Sequence, residues 1–294
     1  MLKNETTSRK IFIVFNYIFL FTSSFLCIFP IIHIAAVSLS SGTAANAGLV
    51  KLWPVGFTLE TYKEVLSRPE YYKAYSVTLK RIFLGVPLNM ILTVMAAYPI
   101  SKNNKQFRSR EVYVVFLIIT ILFGGGLIPL YITVYKTGLI DTIWALVIPA
   151  ATPVYNIILL QNFFKEIPKE LEEASIIDGA SQWIILWRIF LPLSKPALAT
   201  LVLFCLVGHW NSWFDGMIYM NRAENYPLQT YLQTVVVERD IKNLKIHDLK
   251  SLADISERNN KAAQIFITML PILLVYPFLQ KYFAKGIILG SVKG

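Results

Sequence analysis

No G-x-x-x-x-G-K-[ST] element occurs in the sequence, so nothing in it is built to cradle nucleotide phosphates. H-E-x-x-H is absent, as is the G-x-S-x-G elbow of a serine hydrolase, and no cysteine pair has metal-ligand spacing. Only His33, His209 and His247 supply imidazoles, and they fall on separate segments. An enzyme is hard to assemble from this inventory. The two cysteines, Cys27 and Cys205, lie in apolar runs and read as buried thiols, which leaves the redox compartment open. Charge is also scarce, at 16% of residues, where a soluble chain carries about a quarter. The formal net charge is +10, yet no basic patch interleaved with aromatics points to nucleic acid. Anionic lipid is the simpler counterpart.

What is present is apolar. Of 294 residues 55% are hydrophobic, the mean hydropathy is +0.53, and the apolar residues gather into long uncharged runs. The expected fold is an all-α integral membrane protein with six transmembrane helices. The spans are placed at residues 11–39, 82–101, 112–135, 142–164, 197–214 and 262–283, the first long enough for ~30 Å of hydrocarbon with residues to spare. The first is far longer than a signal-peptide core and has no small-residue cleavage site at its end. His33 near its end reads as a satisfied interfacial residue. Residues 40–73 and 218–262 form outer connections, the first with a short helix over Leu59–Ser67. Six spans put both termini on one side. The short loops carry Lys102, Lys105, Arg108 and Arg110 on that side against Lys136 on the other, which favours termini inside.

Several residues inside or beside the spans invite a role. Lys80 and Arg81 either snorkel to the interface or line the mouth of a pathway and meet an anionic group. Gly124-Gly125-Gly126 and Pro129 either allow close helix packing or break the helix beside a cavity; packing is the safer expectation. No carboxylate lies deep in any run, so proton or sodium coupling has no visible carrier.

Residues 165–196 are the longest charged interruption of this apolar middle. Pro168 suits a helix start, because its missing N–H would be unpaired there anyway, and Glu170, Glu172 and Glu173 follow where the helix dipole favours carboxylates. Gly179 supplies a stop that tolerates positive φ, and Ser181 can cap a second helix rich in Ile and Trp. An isolated helix of roughly ten residues is marginal in water, so the first half should dock on something.

Glu173-Ala174-Ser175, Gly179 and Ile189-Phe190-Leu191-Pro192, at their fixed spacing, resemble the EAA loop of ABC-importer permeases. The third position is Ser where the pattern has Ala, a small-for-small change. The resemblance implies that this cytoplasmic helix engages an ATPase through Glu172, Glu173, Ala174, Ser175, Asp178, Gly179 and Ala180. The similarity runs along essentially the whole chain, through residues 96–102 (AAYPISK), 125–149, 191–200, 210–220 (WNSWFDGMIYM), 226–232 and the terminal VKG. It is to the carbohydrate branch of the maltose inner-subunit type, and within it to the permeases for alginate and pectin fragments.

That resemblance implies a type I importer permease fold forming one domain, 1–294, in a bacterial cytoplasmic (inner) membrane. It implies a heterodimer with a second homologous permease, two ATPase subunits that hold ATP and Mg²⁺, and an extracytoplasmic solute-binding protein. No cofactor is expected in this chain, and no nucleic acid. The substrate would be an oligosaccharide, acidic if Lys80, Arg81 and the basic Arg239, Lys242, Lys245 and Lys250 face it. Sugar faces call for aromatic rings and their hydroxyls for amides and charges. Trp210, Asn211, Trp213 and Asp215 offer these, with Asn89, Tyr155 and Asn156 behind, although Trp213 equally suits an interfacial aromatic belt. The competing readings are a permease for a peptide or polyamine, and a membrane scaffold or channel without an ATPase.

Overall fold

A computed structural model describes residues 7–235 and 257–291, whose regular structure is helix without any strand. Arg239, Lys242, Lys245, His247 and Lys250, and the tail 292–294, lie outside the described residues. The described residues fall into two compact units, one drawn from Met1–Pro69 and Thr234–Leu270, the other from Glu70–Gln233 and Pro271–Gly294.

The first unit holds α1 (Thr7–Ser38), α2 (Gly42–Asn46), α3 (Glu60–Ser67) and the start of α14 (Glu257–Ser291). α1 buries only Ala36, Val37 and Ser38, so its Phe and Ile side chains face outward, as a helix in lipid requires. Cys27 rides on that face and is exposed, against the expectation of a buried thiol. His33 is satisfied as expected, its Nδ1 donating to the Lys51 carbonyl at 2.6 Å. A small core of Ala36, Val37, Ala44, Ala45, Val50 and Ala262 closes the unit. Buried amides fasten it: Asn259 Nδ2 donates to Thr61 Oγ1 at 2.9 Å and to the Ser40 carbonyl at 3.2 Å.

The second unit is built on α4 (Pro69–Ser101). Both α1 and α4 are long and apolar enough to cross a membrane unbroken. The expected second span began at residue 82, but the helix starts thirteen residues earlier, so Lys80 and Arg81 sit in its body rather than at an end. The expected sixth span, 262–283, falls within α14.

The three spans between are bent. α5 (Arg110–Leu122) and α6 (Leu127–Lys136) meet at 111°. The glycine run between them breaks the helix and does not serve packing, contrary to expectation. Gly126 has φ +86°, which a right-handed helix cannot use, and a Cβ on Gly124 or Gly125 would meet nothing within 4 Å. α7 (Ile143–Val147), extended to Ala150 by a tighter turn, meets α8 (Val154–Glu166) at 46°. Pro153 between them has no N–H to continue the ladder. α10 (Gln182–Leu193) turns 82° into α11 (Lys195–Asn211), with Pro192 and Pro196 on either side of the corner. Between α8 and α10 lies α9 (Lys169–Ile177); beyond α11 come α12 (Phe214–Tyr219) and α13 (Leu228–Gln233).

The main core of this unit lies where α4, α8, α10 and α11 converge, around Ala97, Ile157, Leu160, Ile185 and Leu201. Tyr98, Phe164 and Phe190 pack edge to face there, with ring centroids 5.1–6.2 Å apart. Water offers no competing driving force between helices in lipid, so such shape matching carries the association.

Candidate functional site

Two constellations stand out, one in the body of the spans and one at the loop between α8 and α11. The first is a chain of polar side chains. Arg81 on α4 is 2% exposed, and a buried guanidinium is tolerated only when paired. Its Nη1 donates to Asp215 Oδ1 at 3.1 Å, and Nη2 pairs with the other carboxylate oxygen. Its Nε donates to His209 Nδ1 at 3.2 Å. His209 must therefore carry its proton on Nε2, which lies 2.7 Å from Asn89 Oδ1 and donates to it. Asn89 Nδ2 in turn donates to the carbonyls of Ala150 and Ala151, at 2.7 and 2.9 Å. These carbonyls sit at the break between α7 and α8, where helical donors have run out.

The chain thus runs from α12 through α4 and α11 to the broken fourth span. Arg81 does not snorkel. Asp215 is further held by Ser212 Oγ and by the Gly216 N–H, both at 2.8 Å. Gly85 lies one turn below Arg81 and one above Asn89, and a Cβ there would overlap the His209 ring.

The second constellation begins with Pro168, which immediately precedes α9 at the helix start the sequence suggests. Gly179 takes φ +78°, and the N–H groups of Asp178, Gly179 and Ala180 close onto the carbonyls of Ala174, Ile176 and Ser175. Ser181 Oγ then accepts from the Ile184 N–H at 3.4 Å, starting α10. Glu173, Ala174, Asp178 and Gly179 are exposed, and Ile177 is 85% exposed, a large apolar side chain with nothing on it. Ser175 is small and internally satisfied, its hydroxyl donating to Leu171 at 2.6 Å.

Glu172 behaves differently from its neighbours. It turns inward, accepting from Gln106 Nε2 at 3.3 Å and pairing with Lys102 Nζ at 2.9 Å. The Lys102 ammonium also lies 4.0 Å from the Tyr98 ring centre and 4.2 Å from that of Phe190. Burial pushes the Lys102 pKa down, and Glu172 pulls it part of the way back by hydrogen bond and charge. The pair fastens α9 to the end of α4.

Residues 81–289 match the family of binding-protein-dependent transport system inner membrane components. The chain belongs to this family. The permease is 39% identical over 291 residues to Protein LplC of Bacillus subtilis (strain 168), across 99% of this chain and 98% of that protein. It is 35% identical over 286 residues to the polygalacturonan/rhamnogalacturonan transport system permease protein YtcP of the same organism, across 97% and 99%. Its fold matches, with a TM-score of 0.85 and 33% identity, a chain from the crystal structure of a bacterial ABC transporter involved in the import of the acidic polysaccharide alginate. That match covers 95% of this chain and 99% of the other. The permease is therefore a membrane component of a binding-protein-dependent transport system, with the type I importer permease fold.

Of the residues singled out for a substrate pathway, Arg81, Asn89 and Asp215 come together in the permease, bonded to one another through His209. Lys80, next to Arg81, is exposed and outside the network. Trp210 is buried against Tyr75, edge to face at 6.1 Å. Asn156 is buried with its amide 3.3 Å from Cys205 Sγ, while Tyr155, Asn211 and Trp213 are exposed. Sequence reasoning missed His209 as a network member. The signal was the spacing of Arg81, Gly85 and Asn89 at i, i+4 and i+8, which puts a gap between two polar groups on one helix face. Asp141 was missed as well. It holds positive φ, 61°, and its carboxylate accepts from the N–H groups of Asn221 and Arg222 and from Asn225 Nδ2, while Arg222 Nε pairs with it at 3.1 Å.

Proposed function

We propose that this chain is one transmembrane half of an ATP-driven importer of acidic, uronate-containing oligosaccharides. It would work by alternating access with a second homologous permease, receiving sugar from an extracytoplasmic binding protein. Two ATPase subunits would bind ATP and Mg²⁺ and drive the cycle through α9, with both termini of this chain in the cytoplasm. The observation that carries this reading is the outward face of α9 and its glycine stop. Glu173, Ala174, Ile177, Asp178 and Gly179 are presented together while Glu172 is used internally to hold the helix in place. The named substrates of two relatives, polygalacturonan/rhamnogalacturonan and alginate, support an acidic sugar.

Co-purification tests the coupling role. Glu173→Lys reverses a charge on the exposed face, and Gly179→Asp puts a side chain where φ is +78°. Either change should cut ATPase recovery with the permease pair by tenfold or more while membrane insertion is unchanged. Normal recovery with both variants sinks the coupling assignment. The substrate class has a separate test in Lys80→Glu, since Arg81 cannot be altered without breaking its network. Uptake of an oligouronide should fall several-fold more than uptake of a neutral oligosaccharide; equal loss removes the case for acidic sugar at Lys80.

A further inference from the structure

A polar pocket of about 420 Å³ opens at the foot of the second unit, between the end of α4, the start of α5, the end of α8 and the start of α9. That is many times the ~30 Å³ share of a water molecule. Lys102, Arg110, Lys165 and Lys169 line it, with Asn104 and a single carboxylate, Glu172. Glu172 is already committed to Lys102 and Gln106. Arg110 spends Nε on the Ile100 carbonyl at 2.8 Å and Nη1 on Asn104 at 3.4 Å. Among the described residues no carboxylate pairs with Arg110, Lys165 or Lys169. Arg110, Lys165 and Lys169 thus line one pocket whose single carboxylate is spent on Lys102 and Gln106, and an anion lodged there would favour their charged forms.

The surroundings say which anion. α5 starts at the pocket with Arg110 and buries none of its residues. Val112, Tyr113, Val115 and Phe116 are all exposed, so an apolar surface runs from the rim of the pocket along α5. Charge at the mouth followed by a bare apolar helix is the outline of a phospholipid, headgroup first and acyl chains after.

We propose that this pocket holds the phosphate of an anionic phospholipid headgroup, gripped by Arg110, Lys165 and Lys169, with the acyl chains lying along α5. Lys102 stays with Glu172 and backs the site with its positive charge. The proposal rests on residues 165–196 standing at the membrane–water boundary, and it is independent of whether α9 engages an ATPase.

The test uses the permease pair with its ATPases in nanodiscs of phosphatidylcholine containing phosphatidylglycerol, with retained lipid counted by native mass spectrometry. The wild type should retain phosphatidylglycerol at least fivefold over its share of the bilayer. Lys165→Gln/Lys169→Gln changes two exposed side chains that the fold does not use, and should bring that ratio near one. A second arm adds inorganic phosphate to discs of phosphatidylcholine alone and reads the unfolding temperature. A phosphate response without any phospholipid preference keeps an anion site but overturns its assignment to lipid. No preference in the wild type, or the same preference in the double variant, overturns it outright. So does a double variant that keeps its phospholipid yet loses the ATPase, which would give the pocket to a carboxylate of that subunit. Glu173→Lys, measured alongside, reports separately on the coupling role of α9.

Discussion

Arg81 is a guanidinium placed in the body of a membrane helix, and its five donors explain nearly everything around it. Two meet Asp215 side by side, and one meets His209 and thereby fixes the tautomer that reaches Asn89. Removing one partner of such a pair leaves a buried charge without compensation, at a cost of roughly 3–5 kcal/mol. Arg81→Leu should therefore lose about that much in unfolding measurements, and Arg81→Leu/Asp215→Leu should lose less than the single change. Additive losses would mean that the two side chains do not act as a pair. Asp141 supports a second prediction. Burial works against its charged form, but bonds from Asn225, Arg222 and Asn221, with the charge of Arg222, hold its pKa below the ordinary 3.8. A depressed pKa in the folded state gives stability that is present at neutral pH and lost as pH falls below about 4. Asp141→Asn keeps a side chain that accepts positive φ and should flatten that acid-side loss in melts taken from pH 6 to pH 3.

At the scale of elements, the breaks matter more than the helices. A helix that stops in hydrocarbon must find other partners for its carbonyls, and Asn89 serves Ala150 and Ala151 in that way. The 111° corner after α5 has a sharper requirement. Only Gly126 holds positive φ there, and neighbours crowd neither Gly124 nor Gly125. With φ +86° and ψ 167°, Gly126 holds an extended positive-φ conformation that essentially only glycine adopts, and Gly126→Ala should destabilise by roughly 1–3 kcal/mol. Gly124→Ala and Gly125→Ala should change little, and equal losses at all three positions would show that flexibility, not φ, is what the corner needs. The helices of the 165–196 loop were readable because their ends are chemical: Pro168 and Ser181 stand at the starts of α9 and α10, and Gly179 ends α9 with a positive φ that its missing Cβ allows. The bends were not, since a broken span and a straight one have the same apolar run, and only neighbours decide where the break goes.

At the scale of the whole molecule, the apolar runs announced a membrane protein, and the charged interruption marked where α9 and its glycine stop leave the spans. The polar network was hidden because its members come from helices far apart in sequence, and hydropathy alone assigned Arg81 to the nearest interface. Both termini of the network are now tied to particular backbones, yet they are made at different times. Arg81 and Asp215 are 134 positions apart. At roughly 5–20 residues per second of synthesis, the arginine emerges on the order of ten seconds before its carboxylate exists. During that interval α4 has no counter-ion to bring inside, and its least costly posture is shallow, with Arg81 reaching up to the headgroups. The half-made chain snorkels, and the finished one does not. Settling of α4 to its full depth therefore has to wait for α11 and α12, which makes the last step of insertion a pairing of charges and not a partitioning of apolar surface.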